Sequence, residues 1–160
     1  VGSEMCIRDS MDGGHKEVMD VVMASLKEVG ITAEADTNEW TTILDRYDIG
    51  DYEIGRCGWV ADYPIMDNFM YPLFFSTSGD NYSQIGDEAI DDALLEARAT
   101  IDDAERIAKY QEINAELGEQ CWMIPLMFYT HTQVVGENVA YYYLDPQKKA
   151  DMTKVELVSA

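Results

Sequence analysis

The stretch Gly58-Trp59-Val60-Ala61-Asp62-Tyr63-Pro64 sets a large indole and a carboxylate just past a run, Tyr52 to Trp59, with the composition of a strand. Pro64 bars that strand from continuing. In α/β sheets ligands bind outside strand ends, where irregular backbone is exposed. A carboxylate there, half shielded by Trp59 and Tyr63, suits an ammonium group, because a charge-assisted hydrogen bond contributes about 1.5–3 kcal/mol. The same residues read equally well as a turn capped by Asp62 with Trp59 in the core. Asp62 and Asp67 also have the form of a hydrolase carboxylate pair, although aspartate is abundant enough here for such pairs to arise by chance. No G-x-S-x-G, H-E-x-x-H, P-loop or G-x-G-x-x-G occurs, and neither His15 nor His131 neighbours a plausible nucleophile. The residue types therefore favour binding over catalysis.

Composition narrows the class further. The 160 residues carry 31 acidic and 11 basic side chains, a formal charge of −20, with 47% hydrophobic and 26% charged residues. That is the balance of an ordinary globular domain and excludes compositional disorder. The longest apolar run, Cys121 to Tyr129, is well short of the roughly 20 residues a membrane-spanning helix needs. The acidity argues against nucleic acid, whose phosphates it would repel. It would steer cationic or amine-bearing ligands favourably, but a well-solvated surface explains it first. Cys6, Cys57 and Cys121 are too few for a disulfide scaffold and lack zinc-ligand spacing. Tyr141, Tyr142 and Tyr143 could line a pocket or simply pack, and the nine methionines read as core filler.

The elements that must position the Asp62 stretch can be read from periodicity. Val18, Met19, Val22, Met23, Leu26 and Val29 form a helical stripe from His15, closed by Gly30. Ile31 to Ala35 alternates as a short strand. A second helix carries Trp40, Ile43, Leu44 and Tyr47 on one side, and Tyr52 to Trp59 is a strand interrupted in character by Arg56. This order predicts an α/β layer with a partly parallel sheet. Asp87 caps a helix burying Ile90, Leu94 and Ala97. Asp102 and Glu105 form a capping box for a helix with a stripe of Ile107, Tyr110, Ile113 and Leu117, closed by Gly118. Trp122 to Tyr129 reads as a strand interrupted by Pro125, lying at an edge or carrying a bulge, and His131 to Val135 as its partner or extension. Val1 to Ser10, VGSEMCIRDS, has no periodicity matching the rest of the chain. It resembles a vector- or adaptor-derived leader and, with Cys6, is set outside the fold.

The segments GWVADYPIMDNFMYPLF, NYS at 81–83, DEAIDDALLEARATIDDAERIAKYQEIN and CWMIPLMFYTHTQVV together resemble the C-terminal part of the extracellular solute-binding proteins of family 5. These are the substrate-binding components of peptide/nickel-type ABC transporters, and the resemblance runs from about His15 to the end. It implies an α/β, periplasmic-binding-protein-like (type II) lobe, partial, with a mixed sheet flanked by helices. The expected division is 1–10 as a non-native leader, 11–150 as the C-terminal part of the second lobe, and 151–160 as a segment returning towards the first lobe. Asp62 is implied to receive the α-amino group of a bound peptide. Gly58, Trp59 and Val60 are implied to pair with its main chain by strand addition, Trp59 also forming a wall; Ala61 and Tyr63 complete the ligand-binding set. The resemblance implies a monomer without metal or cofactor and without enzymatic activity. Its implied partners are a peptide ligand and the permease and ATPase subunits of an ABC transporter. Its implied location is periplasmic or extracytoplasmic, with or without a lipid anchor. A nickel chelate or an oligosaccharide is the alternative solute, and a carboxylate-dependent hydrolase the alternative activity. Ile65 and Met66 depart from the family's usual acidic residue and proline, and Arg56 from its usual apolar strand residue. Taken alone, such a half-cleft is expected to bind weakly or not at all.

Overall fold

The computed structural model describes residues 3–10, 15–130, 132–145, 147 and 149–158. It divides into two units, Val1–Trp59 with Pro72–Asp91, and Val60–Tyr71 with Asp92–Ala160.

The first unit is built on a parallel sheet. Strand β1 (Ser3–Ser10) leads to helix α1 (His15–Glu28), then β2 (Ile31–Asn38), helix α2 (Trp40–Asp48) and the short β3 (Ile54–Gly55). Parallel strands need a long crossover, and α1 supplies it between β1 and β2. The order is β2-β1-β3. β1 pairs with β2 along its whole length, from Ser3↔Ile31 to Ser10↔Asn38, and with β3 at Ile7↔Ile54 and Arg8↔Gly55. The placement of Val1 to Ser10 outside the fold is therefore corrected: Ser3–Ser10 is the central strand, and Ile7 is only 1% exposed. Met5 and Ile7 stand two apart, the strand period, and backbone pairing asks little else of a central strand.

Gly30 ends the α1 turn at φ 85°, a conformation glycine adopts without a Cβ penalty. In α2, Ile43 and Tyr47 are buried, whereas Trp40 is exposed. The expected strand over Tyr52–Trp59 contracts to Ile54–Gly55. Beyond it, the Arg56 carbonyl accepts a hydrogen bond from the Tyr47 hydroxyl at 2.9 Å instead of joining a ladder.

Helix α3 (Asp67–Phe74), absent from the sequence reading, follows. It contains Pro72, whose missing N–H costs the helix one bond. Helix α4 (Glu88–Ala99) starts as expected, with Asp87 Oδ1 accepting from the Ala89 and Ile90 N–H groups at 2.9 and 3.1 Å. Ile90, Leu94 and Ala97 are buried.

In the second unit, the Asp102 carboxylate accepts from Glu105 N–H at 2.9 Å and opens helix α5 (Asp103–Glu119). Tyr110, Ile113 and Leu117 are buried, but Ile107, assigned to the same stripe, is 47% exposed. Gly118 does not close the helix; it lies inside it, and the left-handed residue after its end is Cys121 at φ 55°. Trp122–Tyr129 is not a strand, and neither is Thr132–Val135; His131 lies outside the described residues. A strand exists only with a pairing partner, and among the described residues none pairs with this segment. Trp122 is half-buried, and the side chains from Met123 to Tyr129, Ile124 and Phe128 included, are exposed. Strands β4 (Val139–Tyr141) and β5 (Glu156–Leu157) form an antiparallel pair, so parallel and antiparallel pairings both occur, in separate sheets.

Candidate functional site

The chain passes between the two units at Trp59 and Val60, inside the stretch singled out above. On the first unit, Gly58 is exposed and Trp59 half-buried, so the indole is not a fully enclosed core residue.

On the second unit, Val60, Asp62 and Tyr63 are exposed and Ala61 half-buried. Pro64 sits at the centre of a tight turn in which Ile65 N–H donates to the Tyr63 carbonyl at 3.0 Å. The Ile65 and Met66 carbonyls then accept from the Asn68, Phe69 and Met70 N–H groups and start α3. Ile65 and Met66 thus serve the start of α3 through their backbone carbonyls.

The Asp62 backbone is fixed at both of its peptide groups. Its N–H donates to Asn68 Oδ1 at 2.9 Å, and its carbonyl accepts from the Gln147 side-chain amide. The Gln147 amide also donates to the Ala61 carbonyl at 3.3 Å. The Asp62 carboxylate faces outward, and among the described residues it has no hydrogen-bond partner. Tyr63 does not shield it in the expected way, because the Tyr63 hydroxyl is turned to Asp67 at 2.8 Å.

Asp67 has the opposite surroundings. It is 7% exposed and opens α3, where the helix dipole favours a negative charge. Its Oδ1 accepts from the Tyr110 hydroxyl at 2.8 Å and forms an ion pair with Arg98 Nε at 3.0 Å, and its Oδ2 accepts from the Tyr63 hydroxyl. The Arg98 guanidinium in turn lies 3.8 Å above the Tyr71 ring, a cation–π arrangement. Burial, and then the hydrogen bond to Asp67, push the Tyr110 phenol well above its ordinary pKa. The residues of this cluster lie in the second unit and tie the Asp62 loop to α3, α4 and α5.

Sequence reading named Asp62 and Asp67 but missed Asn68, Arg98 and Gln147, and assigned Tyr110 only to packing. A separate depression of about 630 Å³ in the first unit is lined by Tyr47, Asp48, Ser76, Asn81, Tyr82 and Gln84 among others. None of the six residues proposed for ligand contact lines it. Among the described residues, no group of three or more His, Cys, Asp or Glu side chains is arranged to hold a metal ion. Nor is any described helix long and apolar enough to cross a membrane.

Comparison with known proteins gives this geometry a context. The model of the bacterial extracellular solute-binding proteins, family 5 Middle, matches residues 7–81, starting at the buried Ile7 of β1. The di/tripeptide-binding protein 2 of Pseudomonas aeruginosa is 26% identical over 148 residues, covering 91% of this chain and 28% of the relative. Among solved structures, the ABC transporter-associated periplasmic binding protein DppA of Helicobacter pylori, in complex with the peptide STSA, is 27% identical. It has a TM-score of 0.68 over 76% of this chain and 24% of its own. The Haemophilus influenzae OppA complex with the peptide RPPGFSPFR has the same fold, at a TM-score of 0.84 and 24% identity, over 99% of this chain and 31% of its own. The chain spans about a quarter of the length of the curated relatives it matches.

Proposed function

The chain belongs to the bacterial extracellular solute-binding proteins of family 5, and from that premise we propose that it forms part of the second lobe of a protein that captures peptides outside the cytoplasmic membrane. Asp62 receives the ligand's α-ammonium group through charge-assisted hydrogen bonds. Gly58, Trp59 and Val60 offer backbone N–H and C=O groups to the peptide main chain, Trp59 also serves as a wall, and Ala61 and Tyr63 complete the ligand-binding set. Such pairing tolerates many sequences, because all peptides share the main-chain groups it uses. The loaded protein then delivers its ligand to the permease and ATPase subunits of an ABC transporter.

One observation carries this reading. Of the two carboxylates in the loop, Asp62 is exposed on a backbone held in place, while Asp67 is buried and committed to Tyr63, Tyr110 and Arg98. That contrast fits a single cation-binding carboxylate and disfavours a two-carboxylate hydrolase, which needs both acids at the scissile bond.

Calorimetric titration of the full-length protein tests the reading. Asp62→Asn weakens binding of free-amine peptides by about 2–5 kcal/mol, the cost of removing one partner of a desolvated charge pair. N-acetylated peptides are hardly affected. Equal losses for both ligands would remove the ammonium role from Asp62.

A further inference from the structure

The bonds at Asp62 hold its backbone, not its carboxylate. The Asp62 N–H is taken by Asn68 Oδ1 at 2.9 Å and its carbonyl by the Gln147 side-chain amide, which also reaches the Ala61 carbonyl at 3.3 Å. These two side chains come from positions 6 and 85 residues away in sequence.

Each is itself fixed. Asn68 is buried in the first turn of α3, next to Asp67, whose carboxylate is held by Tyr63, Tyr110 and Arg98. Gln147 stands in a turn organised by the Asp145 carboxylate, whose Oδ1 accepts from the N–H groups of Gln147 and Lys149 at 2.9 and 2.8 Å. A backbone bond from Asp145 N–H to the Lys149 carbonyl at 3.0 Å and the Leu144↔Ala150 bridge close the turn. The loop is thus gripped from α3 on one side and from the 144–150 turn on the other.

We propose that Asn68 and Gln147 are positioning residues for Asp62: they fix both of its peptide groups so that its carboxylate is aimed before the ligand arrives. The inference rests on the ligand role of Asp62 proposed above. An exposed acid on a loose loop must lose backbone freedom when it meets a cation, and that loss subtracts from affinity. Here the fold has already imposed the order. Asn68 and Gln147 touch no ligand; they act through the geometry of residue 62.

The test uses the full-length protein with trialanine and N-acetyl-trialanine as probes. Gln147→Met keeps the length of a half-buried turn side chain but removes its donors, so it leaves folding intact; Asn68→Ala removes the buried acceptor. Each lowers the affinity for trialanine about three- to tenfold, the span of one hydrogen bond, and leaves N-acetyl-trialanine binding unchanged. The Asp62 amide proton exchanges faster in Asn68→Ala, and an Asn68→Asp variant, which keeps an acceptor oxygen, restores its protection. Equal weakening of both peptides would assign the two residues a merely structural role and overturn the proposal. If Asp62→Asn abolishes discrimination while Gln147→Met and Asn68→Ala match the wild type in peptide ratio and in Asp62 exchange, the positioning role fails alone. If Asp62→Asn itself leaves discrimination intact, the ligand role beneath it fails instead.

Discussion

The buried contact between Asp67 and Tyr110 allows the strongest quantitative test of how the loop is anchored. Tyr110 is 1% exposed and donates to Asp67 Oδ1 at 2.8 Å. Tyr110→Phe deletes that donor but leaves the carboxylate with Tyr63 and Arg98. A hydrogen bond to a charged group contributes about 1.5–3 kcal/mol, and with the Tyr63 bond and the Arg98 ion pair remaining the low end, about 1.5 kcal/mol, applies. Asp67→Ala is worse, because it strands the Tyr110 hydroxyl in the interior at a cost of about 1–3 kcal/mol. It also removes an acid from the first turn of α3, worth about 0.3–1 kcal/mol. The lost ion pair adds no more than about 1 kcal/mol, since the Arg98 side chain is 41% exposed and its charge is screened. Asp67→Ala should therefore cost about 3–4 kcal/mol. For a chain of this size that lowers Tm by about ten degrees, at roughly 2–4 °C per kcal/mol.

The assay is a double-mutant cycle by urea unfolding at neutral pH, comparing wild type, Tyr110→Phe, Asp67→Ala and the double variant. Once either partner is gone, removing the other costs less, so the loss in the double variant should be smaller than the sum of the single losses by at least about 1.5 kcal/mol. Additivity within about 0.3–0.5 kcal/mol would mean that hydroxyl and carboxylate are not coupled, and the account of Asp67 as the anchor of the Asp62 loop would be refuted.

The remaining predictions concern packing and pH. A Cβ at Gly55 would meet a Tyr47 ring carbon at 2.9 Å, and that ring is buried with its hydroxyl tied to the Arg56 carbonyl. Gly55→Ala should thus lose about 1–3 kcal/mol by overpacking, read as a lower urea midpoint at constant m. Gly79→Ala, with nothing within 4 Å, should change little. Burial and Asp67 raise the Tyr110 pKa in the folded state, so the folded protein holds this proton more tightly than the unfolded chain. The resulting stability is complete below the unfolded value of about 10 and falls as pH rises above it. The Tm gap between wild type and Tyr110→Phe should be flat from pH 7 to about 10 and narrow beyond; a gap that widens there would contradict the assignment.

Local signals were legible in the sequence, and distant contacts were not. Asp87 and Asp102 announce their helices because a cap needs only a side-chain acceptor and an N–H two or three residues on. The α1 stripe and Gly30 are likewise read from spacings of three or four residues within one helix. Helix α3 is not evident from the sequence because Pro64 reads only as the end of a strand, whereas it shapes the turn before the helix, and Pro72 within the helix forgoes a single bond. β1 was passed over because its only pattern is a short alternation, and its eight-residue pairing with β2 is invisible in one strand read alone. Trp122–Tyr129 failed in the reverse sense: apolar composition suggests a strand, but pairing makes one. At the site, Asp62 stood out by composition. Its supports did not, since Tyr110 lies 43 residues from Asp67 and Gln147 lies 85 from Asp62.

The surroundings of the two aspartates in the loop separate binding from catalysis more sharply than residue type, which only favours binding. Asp62 and Asp67 are chemically identical and five positions apart, close enough to suggest a carboxylate pair. A glycosidase-like displacement needs both acids to face one bond, one of them exchanging protons as the reaction proceeds. Asp67 cannot do this without giving up the phenols and guanidinium that hold it, and with them the start of α3 and the position of Asn68. Its charge is spent on structure. In the proposed role Asp62 acts alone: one oriented carboxylate is enough to recognise a cation, though not to run a two-acid displacement. The net charge of −20 cannot substitute for it: a diffuse field is screened within about 10 Å and favours every cation alike. On the role proposed for Asp62, selectivity for a ligand's ammonium group comes from this one carboxylate, whose backbone is held still.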